Sequence, residues 1–270
     1  MLYSTTKFSR LIDLSGRLAL VTGASGSLGK VIAQTLSELG ANLILSDLDA
    51  TTLDEFASEL RANSTVSVTA KPCDLESVME RETLIKHLTE EGRLDILVNN
   101  AAFVGNSELD GWAVSFSDQS LQTWRRALEV NLTAVFHLCQ GLMPLLKNSG
   151  RGSIINIGSI YGEYGPAWDL YEGTKMGNPA AYGVSKGGII QFTRWLATTV
   201  APQVRVNTIS PGGIYRGQPK SFIKRYNSRT PMGRMATEDD FRGVTAFLAS
   251  DMSAYVTGQN LAVDGGWGIW

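Results

Sequence analysis

The stretch Leu18-Ala19-Leu20-Val21-Thr22-Gly23-Ala24-Ser25-Gly26-Ser27-Leu28-Gly29, followed by a helical pattern over 30–39, decides how the rest of the chain is read. A short apolar run ends in threonine, glycines follow every third residue, and apolar residues then recur at helical spacing. In such a unit glycine makes the tight turn, lets backbone approach a pyrophosphate, and lets the helix pack closely on its strand. The helix N-terminus adds free N–H groups and a partial positive charge for phosphate oxygens. Glycine alone is common in turns, so the context carries the weight. Asp47 closes the next apolar run, eighteen residues after Gly29, where an acid bonds the ribose hydroxyls of a dinucleotide. Such an acid repels a 2′-phosphate, and no Arg or Lys stands in 22–29 or directly after Asp47. The site is therefore read as taking NAD, with NADP the less favoured cofactor. Asp49 is the better cap for the helix that follows.

Outward from this unit, short apolar runs alternate with helical patterns along nearly the whole chain. The strand candidates are 18–22, 42–46, 66–71, 96–99, 153–157, 204–209 and 260–263. Most are apolar on consecutive positions, which suits strands buried on both faces. The alternation implies βαβ units: a Rossmann-like, doubly wound α/β fold, with a parallel sheet of about seven strands and helices on both faces. No repeat, low-complexity tract or linker interrupts it, so residues 1–270 read as a single domain. The chain has 270 residues, 24 Lys and Arg against 26 Asp and Glu, and a net charge of −2, which argues against a nucleic-acid surface. No apolar run approaches the roughly 18 residues of a membrane span. Polar residues 1–10 lack the apolar core of a secretory signal. Two cysteines, Cys73 and Cys139, make neither a disulfide framework nor a metal cage, so no metal is expected. These features describe a soluble, cytoplasmic protein.

At Tyr182-Gly183-Val184-Ser185-Lys186, Tyr and Lys stand four apart, on one helix face. A phenol titrates near ~10 in water, so its use as a base at neutral pH calls for a nearby cation, which Lys186 can supply. Ser159, after the 153–157 strand, can donate a hydrogen bond to a substrate oxygen.

With these residues the sequence resembles the single-domain short-chain dehydrogenase/reductase superfamily. The resemblance is an ordered set: the 22–29 loop, Asp74, Asn99-Asn100-Ala101-Ala102, Asn131, Ser159, Tyr182 with Lys186, Arg205-Val206-Asn207, Pro211-Gly212, Thr257-Gly258-Gln259 and Asp264-Gly265-Gly266. It implies that Tyr182 is the general acid/base, and that Lys186 lowers its pKa and holds the nicotinamide ribose. Ser159 would orient the substrate carbonyl or alcohol, and Asn131 would hold a proton-relaying water. Asp74 would meet the adenine, Asn100 the adenine-side ribose, and Pro211, Gly212, Gly213 and Ile214 the nicotinamide. Gly23, Ser25, Gly26, Ser27, Leu28, Gly29, Asp47, Leu48, Leu75, Ala101 and Ala102 would complete the cofactor contacts. The implied chemistry is hydride transfer between a secondary alcohol carbon and NAD, in a homodimer or homotetramer packed through the helices containing Asn131 and Tyr182.

Three departures from the family pattern matter. Gly26 stands one place before the usual second glycine, giving a spacing like that of nucleotide-sugar epimerases and dehydratases that retain NAD. Arg216 replaces a threonine common after the Pro-Gly pair. Ser159 and Tyr182 are twenty-three apart, about ten more than usual. A second Tyr-x-x-x-Lys, Tyr171 with Lys175, lies nearer the usual distance, but Gly173, Gly177, Asn178 and Pro179 deny it a helix. An epimerase or dehydratase is one rival reading, against which the missing C-terminal substrate domain counts. A non-catalytic dinucleotide-binding protein is another, against which all four reactive positions count.

The ten extra residues make an active-site insertion at 160–179, expected to lie over the active site. It carries Tyr161, Glu163, Tyr164, Trp168, Asp169, Tyr171, Glu172 and Lys175. Rings beside carboxylates suit a polyhydroxylated ligand, a sugar or nucleotide sugar; the alternative is a lid that packs on its own body. The insertion is also similar to bacterial flagellin-modification oxidoreductases of legionaminic-type sugar pathways. A substrate loop at 213–235 carries Arg216, Lys220, Lys224, Arg225, Arg229 and Arg234, a cluster that meets a phosphate or else forms a solvated face. His87 and His137 read as structural, and the Trp267, Ile269 and Trp270 tail as covered at a subunit interface.

Overall fold

Strands that are apolar on both faces are stable only inside a sheet covered on both sides. The computed structural model describes residues 7–104 and 109–270 and places all seven runs in one such sheet. Of the N-terminal segment read as no signal, residues 1–6 lie outside the described residues. The strands are β1 (Leu18–Thr22), β2 (Asn42–Ser46), β3 (Val68–Ala70), β4 (Ile96–Asn99), β5 (Gly152–Ile157), β6 (Val204–Pro211) and β7 (Asn260–Val263). All pair in parallel, in the order β3-β2-β1-β4-β5-β6-β7. The winding direction reverses between β1 and β4, which opens a crevice at their carboxyl ends.

Three strands depart from their expected bounds for reasons of pairing: β5 begins one residue early, at Gly152, which pairs with Val204 of β6. β3 lies at the sheet edge with one neighbour, and of 66–71 only its middle three residues pair in register. β6 runs two residues past Ile209 because Ser210 and Pro211 pair with Ala262 and Val263 of β7.

The period-two alternation divides the core. Ala19, Val21, Leu43, Leu45, Val98 and Ile155 face α2 (Ser27–Glu38), α3 (Ala50–Asn63) and α9 (Arg242–Ala249). Leu20, Ile44, Leu97, Ile154 and Val206 face α4 (Val78–Glu91), α6 (Ala134–Asn148) and α7 (Ala180–Val200). The result is the doubly wound Rossmann-like α/β sandwich. The remaining helices are α1 (Phe8–Ile12), α5 (Leu121–Leu128) and α8 (Lys220–Arg229). Asp49 caps α3, accepting from the Thr52 amide at 2.7 Å. Pro179 is the N-cap of α7, which carries Tyr182 and Lys186.

The insertion folds as two short 3₁₀ turns, Ile160–Gly162 and Trp168–Tyr171, and Gly173 turns at φ +69°. Ile160 and Leu170 join Phe222, Tyr226, Met235 and Trp267 in a separate small core. Arg225 of α8 ties the insertion down, donating to the carbonyls of Leu170 (2.9 Å) and Glu172 (2.6 Å). Trp267, expected at a subunit interface, is instead 2% exposed within its own chain, stacked on Tyr226 and beneath the Arg229 guanidinium. Ile269 and Trp270 remain exposed. Self-packing covers one of the tail's two indoles, that of Trp267.

Candidate active site

One cleft of about 590 Å³ runs along the carboxyl ends of β1, β4, β5 and β6, within the range of small-molecule sites. At one end the glycine loop leaves β1. Gly23 has φ +63°, and a Cβ there would stand 2.7 Å from the Ala101 Cα. A Cβ on Gly29 would stand 2.0 Å from the Gly23 carbonyl oxygen, so α2 seats against its own loop only with glycine there. Gly26 is the N-cap of α2, and its Cβ would meet only one atom, at 3.4 Å. Ser27, Leu28 and Gly29 begin α2 and line the cleft, presenting first-turn amides that have no intrahelical acceptor. The Ser46 hydroxyl, also on the lining, is buried without a hydrogen-bond partner among the described residues. This end fits a phosphate-bridged dinucleotide: uncommitted donors, a positive helix terminus and no side chain over the loop.

Asp47 closes β2 and lines the cleft. Its Oδ2 accepts from the Ser25 amide (2.9 Å) and hydroxyl (2.6 Å), and its Oδ1 from the Leu48 amide (2.8 Å). Asn100 lines the cleft, but its amide hydrogens go to the carbonyls of Thr22 (3.0 Å) and Gly23 (2.9 Å), clamping the loop. The Thr22 hydroxyl in turn accepts from the Asn100 and Ala101 amides, both at 3.1 Å. Leu48, Asp74, Leu75, Ala101 and Ala102 also line this end. Ser25 does not: it stands behind the wall, on Asp47.

Glu76 and Arg126, absent from the sequence reading, complete this end through a bidentate pair at 2.8 Å and 2.8 Å. The guanidinium holds the Glu76 carboxyl below the usual carboxylate range. Glu76 was legible as the second residue after Asp74; Arg126, fifty positions on, left no signal.

At the other end Ser159, Tyr182, Lys186, Pro211, Gly212 and Ile214 share the lining. Ser159 follows β5, and its Oγ accepts from the Tyr161 amide at 3.1 Å. Lys186 Nζ donates to the Ile157 carbonyl at 2.7 Å and lies 5.9 Å from the centre of the Tyr182 ring. Burial pushes its ammonium down to about 8. Burial also pushes the Tyr182 phenol above its ordinary value, against a hydrogen bond with Ser159 and the charge of Arg216, which pull it down. One of the three ammonium donors goes to this backbone carbonyl, and at the phenol desolvation outweighs the contacts that lower it.

Two further residues of the expected site are not on this lining. Asn131 lies off the cleft wall, in a π-helical turn, Glu129–Thr133, that joins α5 to α6. Its Oδ1 accepts from the Phe103 amide (2.6 Å), and its Nδ2 donates to the Phe103 carbonyl (3.2 Å) and to Ser185 Oγ (3.1 Å). Both Nδ2 hydrogens and one of the two Oδ1 lone pairs are used, and the carboxamide ties Phe103 to α7. Gly213 also stands behind the wall, donating its amide to the Tyr226 hydroxyl at 2.5 Å.

No residue of 160–179 is on the cleft lining, although Tyr171 lies near enough to the Tyr182 phenol to raise it further. Its rings are drawn into the small core, where Tyr171 donates to the Tyr161 hydroxyl at 2.7 Å. The rival Tyr171 sits on a 3₁₀ turn, off any helix shared with Lys175. The basic cluster is also largely spent within the fold. Arg225 holds the insertion, Arg229 covers Trp267, and Arg234 grips Asp240 at 2.7 Å, holding that carboxyl well below its usual range. Of the six cations only Arg216 reaches the cleft lining, together with Gln218, Phe103 and Val104.

His87 faces Glu91 at 3.5 Å, and His137 Nδ1 accepts from Arg81 at 3.2 Å. Burial pushes both thiols, Cys73 and Cys139, up to about 12. Among the described residues no group of three or more His, Cys, Asp or Glu is placed to hold a metal ion, and no helix is long and apolar enough to cross a membrane.

Comparison with known proteins agrees with this architecture. Residues 23–268 match a family model described as enoyl-(acyl carrier protein) reductase. The chain is 33% identical over 264 residues to the 3-oxoacyl-[acyl-carrier-protein] reductase FabG of Vibrio cholerae, covering 94% of this chain and 98% of the relative. It is similar in structure to a short-chain type dehydrogenase/reductase from Mycobacterium marinum, with a TM-score of 0.84 at 29% identity over 96% of this chain and 98% of that one. A gluconate 5-dehydrogenase from Burkholderia cenocepacia, solved in complex with NADP and tartrate, gives a TM-score of 0.86 at 26% identity, covering 97% of this chain and 99% of that one.

Proposed function

The chain belongs to the short-chain dehydrogenase/reductase family of oxidoreductases acting on CH–OH groups, and on that premise we propose that it interconverts a secondary alcohol and a ketone with NAD. One observation carries the reading: Ser159, Tyr182 and Lys186 meet at one end of a cleft whose other end is a glycine loop backed by Asp47. The nicotinamide dinucleotide, when bound, supplies or accepts the hydride. The chain's own part is position and proton transfer. The Tyr182 hydroxyl gives its proton to the substrate oxygen in reduction and takes it back in oxidation. Ser159 orients the same oxygen, and Lys186 holds the cofactor's ribose while braced on the Ile157 carbonyl. Asn131 acts as a positioning residue, tying Phe103 to Ser185.

The preference for NAD over NADP is supported by the charges on the lining. Asp47, Asp74 and Glu76 gather at the adenine end, and the cation beside them, Arg126, is held by Glu76. The related Burkholderia enzyme carries NADP in its structure, so the acid at position 47 is where this chain's choice is tested. For the substrate a sugar-like polyhydroxylated compound is favoured, in keeping with the gluconate dehydrogenase relative.

Association through α6 and α7 is supported by an exposed aromatic strip. Phe136 meets Phe192 with centroids 6.0 Å apart, Phe192 stacks on Trp195 at 6.4 Å, and Val184 continues the line. Such a strip suits burial against a second copy.

The test is fluorescence titration with NADH and NADPH, followed by alcohol oxidation with wild type and Tyr182→Phe. The expected result is tighter NADH binding, with turnover lost and NADH binding kept in the variant. Undiminished turnover by Tyr182→Phe would overturn the assignment.

A further inference from the structure

We propose that Arg216 recognises an anionic group on the substrate, so that the compound turned over is a hydroxy acid or acidic sugar rather than a neutral polyol. This rests on the reading that the Ser159–Tyr182 end receives the substrate.

The cleft is divided by charge. Among the described residues, every carboxylate on its lining (Asp47, Asp74 and Glu76) lies toward the glycine-loop end. Toward the reactive end the described lining residues are Ser159, Tyr182, Lys186, Ile214, Arg216 and Gln218, with no acid among them. A neutral polyol would meet few free partners here. Gln218 is already committed, its Nε2 donating to the Ile214 carbonyl and its Oε1 accepting from the Arg216 amide, both at 2.8 Å. Lys186 is braced on Ile157. Among the described residues of this end, the polar group left over beyond the Ser159–Tyr182 pair is the Arg216 guanidinium.

That guanidinium is presented rather than paired away. Only its Nε contacts an acid, Glu238 Oε1 at 3.3 Å, and the side chain is half exposed. Among the described residues, Nη1 and Nη2 have no acceptor. A planar fork with two free donors matches a carboxylate or phosphate better than a hydroxyl.

Its platform is fixed. The Tyr215 amide donates to the Ala236 carbonyl at 2.8 Å, Ile214 bridges to Ala236, and Tyr226 anchors Gly213 from behind. The charge of Arg216 is also felt at the Tyr182 phenol, so the group lies toward the reacting end. The family pattern has a threonine here, which makes this cation a feature of the present chain. The cofactor's diphosphate offers the same anionic chemistry, but the α2 N-terminus on the lining already provides for it.

The experiment uses the protein saturated with whichever dinucleotide binds, titrated calorimetrically with carboxylate and amide pairs: gluconate against gluconamide, and tartrate against tartramide. In wild type at least one carboxylate is expected to bind about tenfold or more tighter than its amide, the scale of one charge-assisted hydrogen bond. In Arg216→Gln that ratio should fall to about one while NADH affinity holds.

Equal affinity for acid and amide in wild type, or no binding of either pair, would overturn the proposal. So would a variant that keeps the ratio and loses NADH affinity, which would assign Arg216 to the diphosphate. The underlying reading fails separately, through absent dinucleotide binding or full turnover by Tyr182→Phe.

Discussion

Replacing Asp47 by alanine tests the cofactor end most directly, because its magnitude follows from counted acceptor positions. A carboxylate offers about four. Three are filled, by the Ser25 amide at 2.9 Å, the Ser25 hydroxyl at 2.6 Å and the Leu48 amide at 2.8 Å. One is left for a ribose hydroxyl, where the sequence reading allowed more than one bond. A hydrogen bond to a charged group contributes about 1.5–3 kcal/mol, so Asp47→Ala should weaken NADH by roughly 10- to 150-fold. NADPH should move the other way. In water-like surroundings two unit charges at about 4 Å repel by about 1 kcal/mol, and a phosphate monoester carries about 1.5–2 charges. Removing the acid should therefore improve NADPH by roughly ten- to thirtyfold. Asp47→Asn, which keeps an oxygen for Ser25, should relieve the repulsion with a smaller loss of NADH. The assay is fluorescence titration with both dinucleotides at low and high salt. A ratio unchanged within about threefold would refute the reasoning. Equal loss of both would reduce Asp47 to a brace for Ser25.

Other expectations follow from single contacts. Asn131→Ala leaves the Phe103 amide and carbonyl and the Ser185 hydroxyl without their shared partner in a buried turn. It should cost on the order of 2–4 kcal/mol and lower Tm by roughly 5–15 °C in calorimetry; a change within 1 °C would show the turn can repack. The pH profile should follow Tyr182, whose phenol burial pushes above its ordinary value of 10.0. The hydroxyl then stays protonated at neutral pH, so ketone reduction should hold level there while alcohol oxidation, which needs the phenolate, rises with pH. An oxidation rate that falls between about pH 7 and 9 would contradict this sign. Arg225→Ala removes the grip on Leu170 and Glu172, and trypsin should then cut after exposed Lys175 faster than in wild type; equal rates would show that the aromatic core alone holds the insertion.

The strands, the glycine loop and the choice between two tyrosines were legible in the sequence because each depends on neighbours in the chain. A strand covered on both faces must be written as an apolar run, and the seven runs appear where they were expected, save at the edge of β3, the start of β5 and the end of β6. Gly23 is demanded by a positive φ and a close approach, and the glycines before Pro179 deny Tyr171 the helix that Tyr182 receives. What the tertiary structure decided is which distant side chains meet. The rings of 160–179 found Phe222, Tyr226 and Trp267; Arg126 found Glu76 fifty residues away; Asn131 found Phe103 and Ser185. Of six cations in one loop, packing assigned three to the fold's own carbonyls, ring and acid, and set only Arg216 on the cleft. Backbone dihedrals and periodicity act over a few residues and can be read in order. Pairing, burial and the resulting pKa of Tyr182 depend on distances that exist only once the crossovers have brought remote segments together.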